Sequence, residues 1–413
     1  GITIMNILLI NHYAGSLSYG MEYRPYYLAR EWTKMGHRVT IVAASYSHLR
    51  GKNPDVKREI QEEIIDGINY IWIKTPSYQG NGIKRAINMF SFVGKLLKNS
   101  MKLAGEIKPD IVIASSTYPL DIFPAYVISR LSKAKLVFEV HDLWPLTPIE
   151  LGGMPKWHPF IVIMQVAEDF AYRKADKVVS ILPKALDYMV TRGLDPKKFI
   201  HIPNGIDIEE WQGLNTPLPS QHQEVIEKLK REGKFLVCYA GSFGIANALD
   251  YFVESSVYLK DLPVALILVG QGPEKEKLQR YVEENNLDNV ILLPSVPKRV
   301  IPKLLSIMDI LYKGSKKCSL YKYGISPVKL MDYMMAGKPI IHAVEAGNDL
   351  VLESGCGISI PPEDPIAIAD AIRKLIEMSP LERDEMGKKG REYVINNHDY
   401  RVLAKRFLEA IND

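Results

Sequence analysis

The sequence predicts two doubly wound α/β domains in succession, on three observations. Short β-branched runs without polar alternation recur through both halves, as expected of strands covered on both faces of a parallel sheet. Stretches of helical length and spacing separate them, as parallel crossovers require. The chain has 413 residues, more than one hydrophobic core usually serves. Two bodies of roughly 200 residues each are therefore expected.

In the first half, Asn6 to Asn11, Val39 to Ala44, Ile111 to Ser115, Leu136 to Val140 and Lys177 to Leu182 read as buried strands. Ile68 to Lys74 reads as a strand nearer an edge, and Met21 to Met35 as a helix. The pattern breaks at Ile202-Pro203-Asn204-Gly205-Ile206-Asp207, and a polar, proline-containing stretch from Gln212 to Gln223 follows, which places a linker here. Alternation resumes with Phe235 to Ala240, Ala265 to Val269, Val290 to Leu293, Ile310 to Tyr312, Pro339 to Ala343 and Gly357 to Ile360. The expected division is a first domain over 5–205, a second over 206–396, and a final helix over 397–413 that crosses back to the first. The two domains are expected to face each other across a cleft.

Bulk composition narrows the function classes. A hydrophobic fraction of 47% and a charged fraction of 24% are ordinary for a globular protein. A net charge of +4 does not mark a nucleic-acid binder, and no nucleic-acid partner is expected. Cys238, Cys318 and Cys356 are scattered and form no C-x-x-C pair, against a disulfide framework and against zinc. No apolar run reaches the roughly 20 residues of a spanning helix; Phe160 to Met164 is far shorter. A cytoplasmic protein is expected, at most peripheral on a membrane. The residues before Met5 are set aside as an added leader.

In open α/β sheets, ligands sit beyond the carboxyl ends of the strands, so the loops there should carry the chemistry. The strongest segment is Gly324-Ile325-Ser326-Pro327-Val328-Lys329-Leu330-Met331-Asp332, running on to Gly337-Lys338-Pro339. Ser326 suits an N-cap and Pro327 a first helical position. The unpaired amides of such a helix start attract anions, Lys329 adds a full charge, and Asp332 lies on nearly the same face. A cation for phosphates beside a carboxylate for ribose hydroxyls is what a nucleotide diphosphate requires. The plainer alternative is a helix cap with a surface ion pair.

Gly241, Ser242 and Gly244 follow the first strand of the second domain, and Gly270 follows the next; glycine there permits close backbone approach to phosphate. Backbone near Val296 is a candidate contact for the base. In the first domain, Gly15, Ser16 and Gly20 lie in a long loop after the first strand, and Arg24 opens the helix behind it. No G-x-G-x-x-G fingerprint is present. His141 and Asp142 end the strand Leu136 to Val140, where an imidazole can bind sugar hydroxyls or polarise a reacting centre. Ile83 to Leu103 reads as a basic amphipathic helix, with Lys84, Lys95, Lys98 and Lys102 on one face and Ile83, Phe90, Val93, Leu97 and Met101 opposite. It either packs its apolar side on the sheet or meets anionic lipid.

Taken together, Gly36-His37-Arg38-Val39-Thr40, Asp142-Leu143-Trp144-Pro145, Ala175-Asp176, Pro203-Asn204-Gly205-Ile206-Asp207 and Gly324 through Pro339 resemble retaining family-4 (group 1) glycosyltransferases of the GT-B fold. The likeness is closest to bacterial O-antigen and capsule transferases of the L-fucosamine type and covers essentially the whole chain. It implies two Rossmann-like domains, a nucleotide diphosphate-sugar held mainly by the second, UDP rather than GDP, and no cofactor or catalytic metal. The acceptor, a glycan or polyprenyl-linked sugar, would sit on the first domain, toward Gly15, Ser16, Gly20, Arg24 and Asp142. By the same likeness Lys329 contacts the diphosphate, Asp332 the ribose and His141 the donor sugar, and Lys329 and His141 are the catalytic candidates. Gly324, Ile325, Ser326, Pro327 and Val328 complete the nucleotide-sugar loop.

Two departures stand out. Relatives carry two glutamates eight positions apart, where this chain has Gly324 and Asp332. They also carry an arginine and a lysine after the second domain's first strand, where Gly241 to Leu249 has neither. Two other functions fit the same architecture: a nucleotide-sugar epimerase, or a sugar-nucleotide-binding protein without catalysis.

Overall fold

The computed structural model describes residues 3–212 and 216–413, so residues 213–215 of the expected linker lie outside the described residues. The chain divides into two compact units, Gly1–Asn204 with Tyr400–Asp413, and Gly205–Asp399.

The first unit is built on eight strands: β1 (Asn6–Ile10), β2 (Arg38–Ala44), β3 (Ile60–Ile65), β4 (Ile68–Ile73), β5 (Ile111–Ala114), β6 (Lys135–Val140), β7 (Lys177–Ser180) and β8 (Phe199–His201). Their order is β3-β4-β2-β1-β5-β6-β7-β8, parallel except where β3 pairs antiparallel with β4. β1 is buried from Ile7 to Ile10, which is why its run lacks polar alternation. β3 and β8 are additional to the strands read from the sequence. β3 (IQEEII) is half-exposed at the edge, and its charged residues suit a position that must not recruit further strands.

The last helix, Tyr400–Asn412, belongs to this unit. Its Tyr400, Leu403, Ala404, Phe407, Leu408 and Ile411 recur at i, i+3, i+4 spacing and are all buried, in one core with Trp32 and Ile41. The Trp32 indole donates to the Ala404 carbonyl at 2.9 Å.

The basic amphipathic segment departs from expectation. It is two helices, Ile83–Lys98 and Ser100–Ile107, and the side turned to the core is Met89, Phe92, Val93 and Leu96, with Asn88. Of the five residues expected on the apolar face only Val93 is buried; Ile83 and Met101 are each 78% exposed, and Phe90 and Leu97 are also exposed. At 100° per residue the core arc is centred near Leu96, leaving the other apolar residues as a separate outer stripe. Lys95 is not part of an open basic face: it is paired with Glu59 at 2.9 Å.

The second unit carries six parallel strands: β9 (Phe235–Ala240), β10 (Val264–Val269), β11 (Val290–Leu293), β12 (Ile310–Gly314), β13 (Ile340–Ala343) and β14 (Gly357–Ser359). The order is β11-β10-β9-β12-β13-β14. Successive strands run outward one way from β9 and the other way from β12. The topological switch point, where such sheets bind ligands, therefore lies between β9 and β12.

Candidate functional site

In the second unit, the helix Val328–Met335 packs Leu330, Met331 and Met334 into the core and holds Lys329 on its first turn. It begins one residue later than the sequence suggested. Pro327 is the N-cap, in extended conformation, and Ser326 precedes the cap. Asn348 explains the entry: its side chain accepts from the Ile325 amide at 2.7 Å and donates to the Ile325 carbonyl at 3.0 Å. The Ile325 amide is thereby occupied and is not a phosphate donor, contrary to expectation. Gly324 is buried at φ +97°, its amide bonded to the Tyr321 carbonyl at 3.0 Å, which closes the turn before this loop. Val328 is exposed.

Lys329 Nζ donates to the Tyr239 hydroxyl at 2.8 Å and lies 4.5 Å from the centre of the Tyr239 ring. Burial, with Lys313 beside it, pushes this ammonium down to about 7, against a smaller opposing pull from Asp332. Asp332 is pushed up to about 7 by burial, with Lys298 and Lys329 acting the other way. Among the described residues its carboxyl group makes no side-chain hydrogen bond.

The glycines fit closely around Lys329. A side chain at Gly241 would overlap Lys329 Nζ, and one at Gly270 would overlap the Gly241 carbonyl, so both positions need glycine for close approach. Ser242 is exposed, and its carbonyl accepts from the Tyr239 hydroxyl at 2.6 Å. Gly244 caps a short 3-10 turn. Val296 is half-buried against the core that holds Leu330 and Met331. The structure thus brings Gly241, Gly270, Lys329 and Asp332 to the carboxyl side of β9 and its neighbours.

In the first unit the predicted residues are mostly spent internally. Arg24 is buried; it pairs with Glu139 at 3.3 Å and donates to the carbonyls of Pro203 at 2.6 Å and Ile202 at 3.0 Å. It is a structural tie and is not offered to an acceptor. Asp142 accepts from the Leu143 amide, the Trp144 indole and the Thr147 hydroxyl, which makes it the organiser of its own turn. Ser16 is fully buried, exchanges backbone hydrogen bonds with Gly20 at 2.7 and 3.0 Å, and accepts from the Tyr19 amide through its hydroxyl. Gly15 is enclosed by the Glu22 carbonyl, which takes its amide proton, and the Tyr70 hydroxyl, which donates to its carbonyl. The long loop closes on itself, and these four residues are corrected from acceptor contacts to scaffold.

His141 stands beside a buried carboxylate and is itself partly exposed. Its Nε2 lies 2.6 Å from Glu139 Oε1 with the side chain 17% exposed. Burial pushes the Glu139 carboxyl up, but the Arg24 guanidinium and His141 outweigh it and hold the group at about 2. An ionised Glu139 makes Nε2 the donor and leaves Nδ1 outside that bond. Glu22 also neighbours His141, and burial raises its carboxyl. Sequence reasoning missed Glu139, Glu22, Asn348, Tyr239 and Lys313. A glutamate inside an apolar strand, as in Leu136 to Val140, was the available signal for the first.

Among the described residues, no three His, Cys, Asp or Glu side chains form a metal-binding group. No helix among them is long and apolar enough to cross a membrane.

Comparison with known proteins gives the architecture a family. Residues 19–210 match Glycosyltransferase Family 4, and residues 221–393 match Glycosyl transferases group 1. The chain belongs to the family-4 and group 1 glycosyltransferases. This glycosyltransferase is 22% identical over 396 residues to the putative colanic acid biosynthesis glycosyl transferase WcaI of Escherichia coli K12, covering 92% of this chain and 93% of that one. Among solved structures, a glycosyltransferase from Rickettsia africae aligns with TM-score 0.70 at 15% identity, covering 99% and 98% of the two chains. Anabaena Alr3699/HepE in complex with UDP and glucose aligns with TM-score 0.66 at 16% identity, covering 99% and 100%. The fold is GT-B, two parallel-sheet α/β domains.

Proposed function

We propose that this glycosyltransferase moves a sugar, with retained anomeric configuration and without a metal, from a nucleotide diphosphate-sugar to a glycan or polyprenyl-linked acceptor in bacterial surface-polysaccharide synthesis. UDP is the preferred nucleotide. The observation that carries the reading is Lys329, half-buried on the first helical turn against Tyr239 and Gly241, with an Asp332 carboxyl one turn on that makes no side-chain hydrogen bond among the described residues. The E. coli relative's name supports the pathway, and the Anabaena complex supports the nucleotide. Retention and metal independence rest on the family resemblance.

Leaving of the diphosphate builds negative charge on its oxygens and positive charge on the sugar ring. Lys329 and the amides at the start of helix Val328–Met335 supply preorganised donors for the leaving group. Asp332 offers acceptors to ribose hydroxyls, and His141, oriented by Glu139, offers Nδ1 to a donor-sugar hydroxyl. The leaving phosphate helps deprotonate the acceptor on the same face. The test is incubation with UDP-sugars and lipid-linked acceptors, reading UDP release and the product's anomeric coupling by NMR. A new linkage with the donor's configuration is expected; an inverted product, or an epimerised donor with no acceptor present, overturns the reading.

A cytoplasmic, membrane-surface setting is part of the same proposal. Ile83, Ile87, Phe90 and Leu97 form an exposed apolar stripe on the helix Ile83–Lys98 with Lys84 and Lys98 on the next arc, and Met101 and Lys102 are exposed on the helix that follows. Phe90 touches Phe160 of the helix Pro159–Lys174, which exposes Val162, Ile163 and Val166. Apolar insertion beside lysines suits an anionic bilayer, at about 1 kcal/mol per lysine near the surface. Flotation with phosphatidylglycerol vesicles should retain the protein, and Phe90→Asp should release it. Equal partition of both proteins removes this part.

A further inference from the structure

The loop from Gly241 to Leu249, which follows β9, holds neither arginine nor lysine. Lys313 lies near the carboxyl end of β12, on the opposite side of the switch point from that loop. Along β12, Ile310 and Tyr312 belong to one core and Leu311 to the other, the one shared with Leu330 and Met331 of the helix Val328–Met335. Strand alternation gives Lys313 the same side as Leu311, so its side chain rises toward the helix that carries Lys329.

We infer that Lys313 is the second cation of the diphosphate site, bracketing the phosphates from β12 while Lys329 holds them from the helix start.

Three observations carry this. Lys313 is half-buried, yet among the described residues its Nζ bonds only the carbonyl of its own neighbour, Gly314, at 3.0 Å. A buried ammonium without a carboxylate partner is costly, and an anion removes that cost. It is also the leading charged neighbour lowering Lys329. Two ammonium groups held together repel unless a polyanion joins them. Finally, the pair sits at β9 and β12, where the strand order reverses. Burial alone holds Lys313 down, at about 8, so it gains most when phosphate oxygens arrive.

This rests on the nucleotide diphosphate reading of the same site, and the experiment separates the two. Titrate the full chain, Lys313→Met and Lys329→Met with UDP, UMP, uridine and inorganic pyrophosphate, measuring affinity by calorimetry and melting without ligand. Lys313→Met should weaken UDP and pyrophosphate by about tenfold or more, as expected for loss of a charge-assisted hydrogen bond. Uridine binding should hold, and the ligand-free protein should melt at an equal or higher temperature, because methionine replaces an uncompensated buried charge. Its UDP affinity should also depend less steeply on salt than that of the unmodified chain. Wild-type-like UDP binding in Lys313→Met, while Lys329→Met loses it, overturns the Lys313 assignment and leaves the site. Equal losses for uridine and UDP with a lowered melting temperature show a structural lysine and overturn it too. An unmodified chain that binds neither UDP nor pyrophosphate ends both readings.

Discussion

The two units place charged residues at the ends of their strands in opposite ways. In the first, Arg24 and Glu139 are paired with each other, and Arg24 donates also to the backbone at Pro203 and Ile202. In the second, Lys313 and Lys329 are neighbouring half-buried charges that have, among the described residues, only a carbonyl and a tyrosine hydroxyl as hydrogen-bond partners, and Asp332 makes no side-chain hydrogen bond there. A folded chain satisfies the charges it buries for its own sake. The unsatisfied charges Lys313, Lys329 and Asp332 gather at one switch point, and that gathering separates site from scaffold better than residue type does.

Substitutions on the two sides should break this contrast in opposite directions. The largest effect belongs to Arg24→Met, which leaves the buried Glu139 with His141 as its remaining partner and should cost about 3 kcal/mol of stability, read as a lowered denaturation midpoint. A loss under about 1 kcal/mol would show that the pair is not the tie described. Lys329→Ala should leave the fold intact and lower turnover about a hundredfold, the typical effect of losing one preorganised donor. Near-normal turnover at saturating donor would remove Lys329 from the chemistry. Asn348→Ala frees Ile325 and should cost about 1–2 kcal/mol, with a weakened UDP affinity because the helix entry loosens. Unchanged melting and affinity would make that bond incidental.

The smallest effect is in pH dependence. Asp332, raised to about 7, keeps its proton in the folded state where the unfolded chain has lost it, so stability falls as pH rises from about 4 to 7. Lys329 and Lys313, lowered to about 7 and 8, release protons that the unfolded chain retains up to about 10, so stability rises again above 7. Ligand-free protein should show a shallow stability minimum near neutrality that UDP fills in. A flat profile, or a maximum there, would mean that these groups are not perturbed as described.

Much of the fold was legible because buried parallel strands leave continuous apolar runs: β1, β9 and β10 stand within a residue of their reading. β3 was missed because IQEEII sits half-exposed at an edge and carries no such run. The helix start was misplaced by one residue, since a Ser-Pro pair suits a cap and only the distant Asn348 shows why the chain is still extended there. Arg24 and Ser16 stand where ligand contacts are expected, but sequence position does not reveal that their bonds are already taken. Lys313 was invisible for the converse reason: a lysine ending a strand reads as solvated, and only the strand order brings it to Lys329.

The most direct test is proton uptake on UDP binding at pH 8, where UDP itself is fully ionised. Calorimetry in buffers of different ionisation enthalpy counts the protons. Two lysines that are partly neutral when empty and charged when bracketing phosphate should take up about one proton per UDP. No uptake, or release, would mean that the lysines are already charged or do not meet the diphosphate, and the account of this site would be wrong.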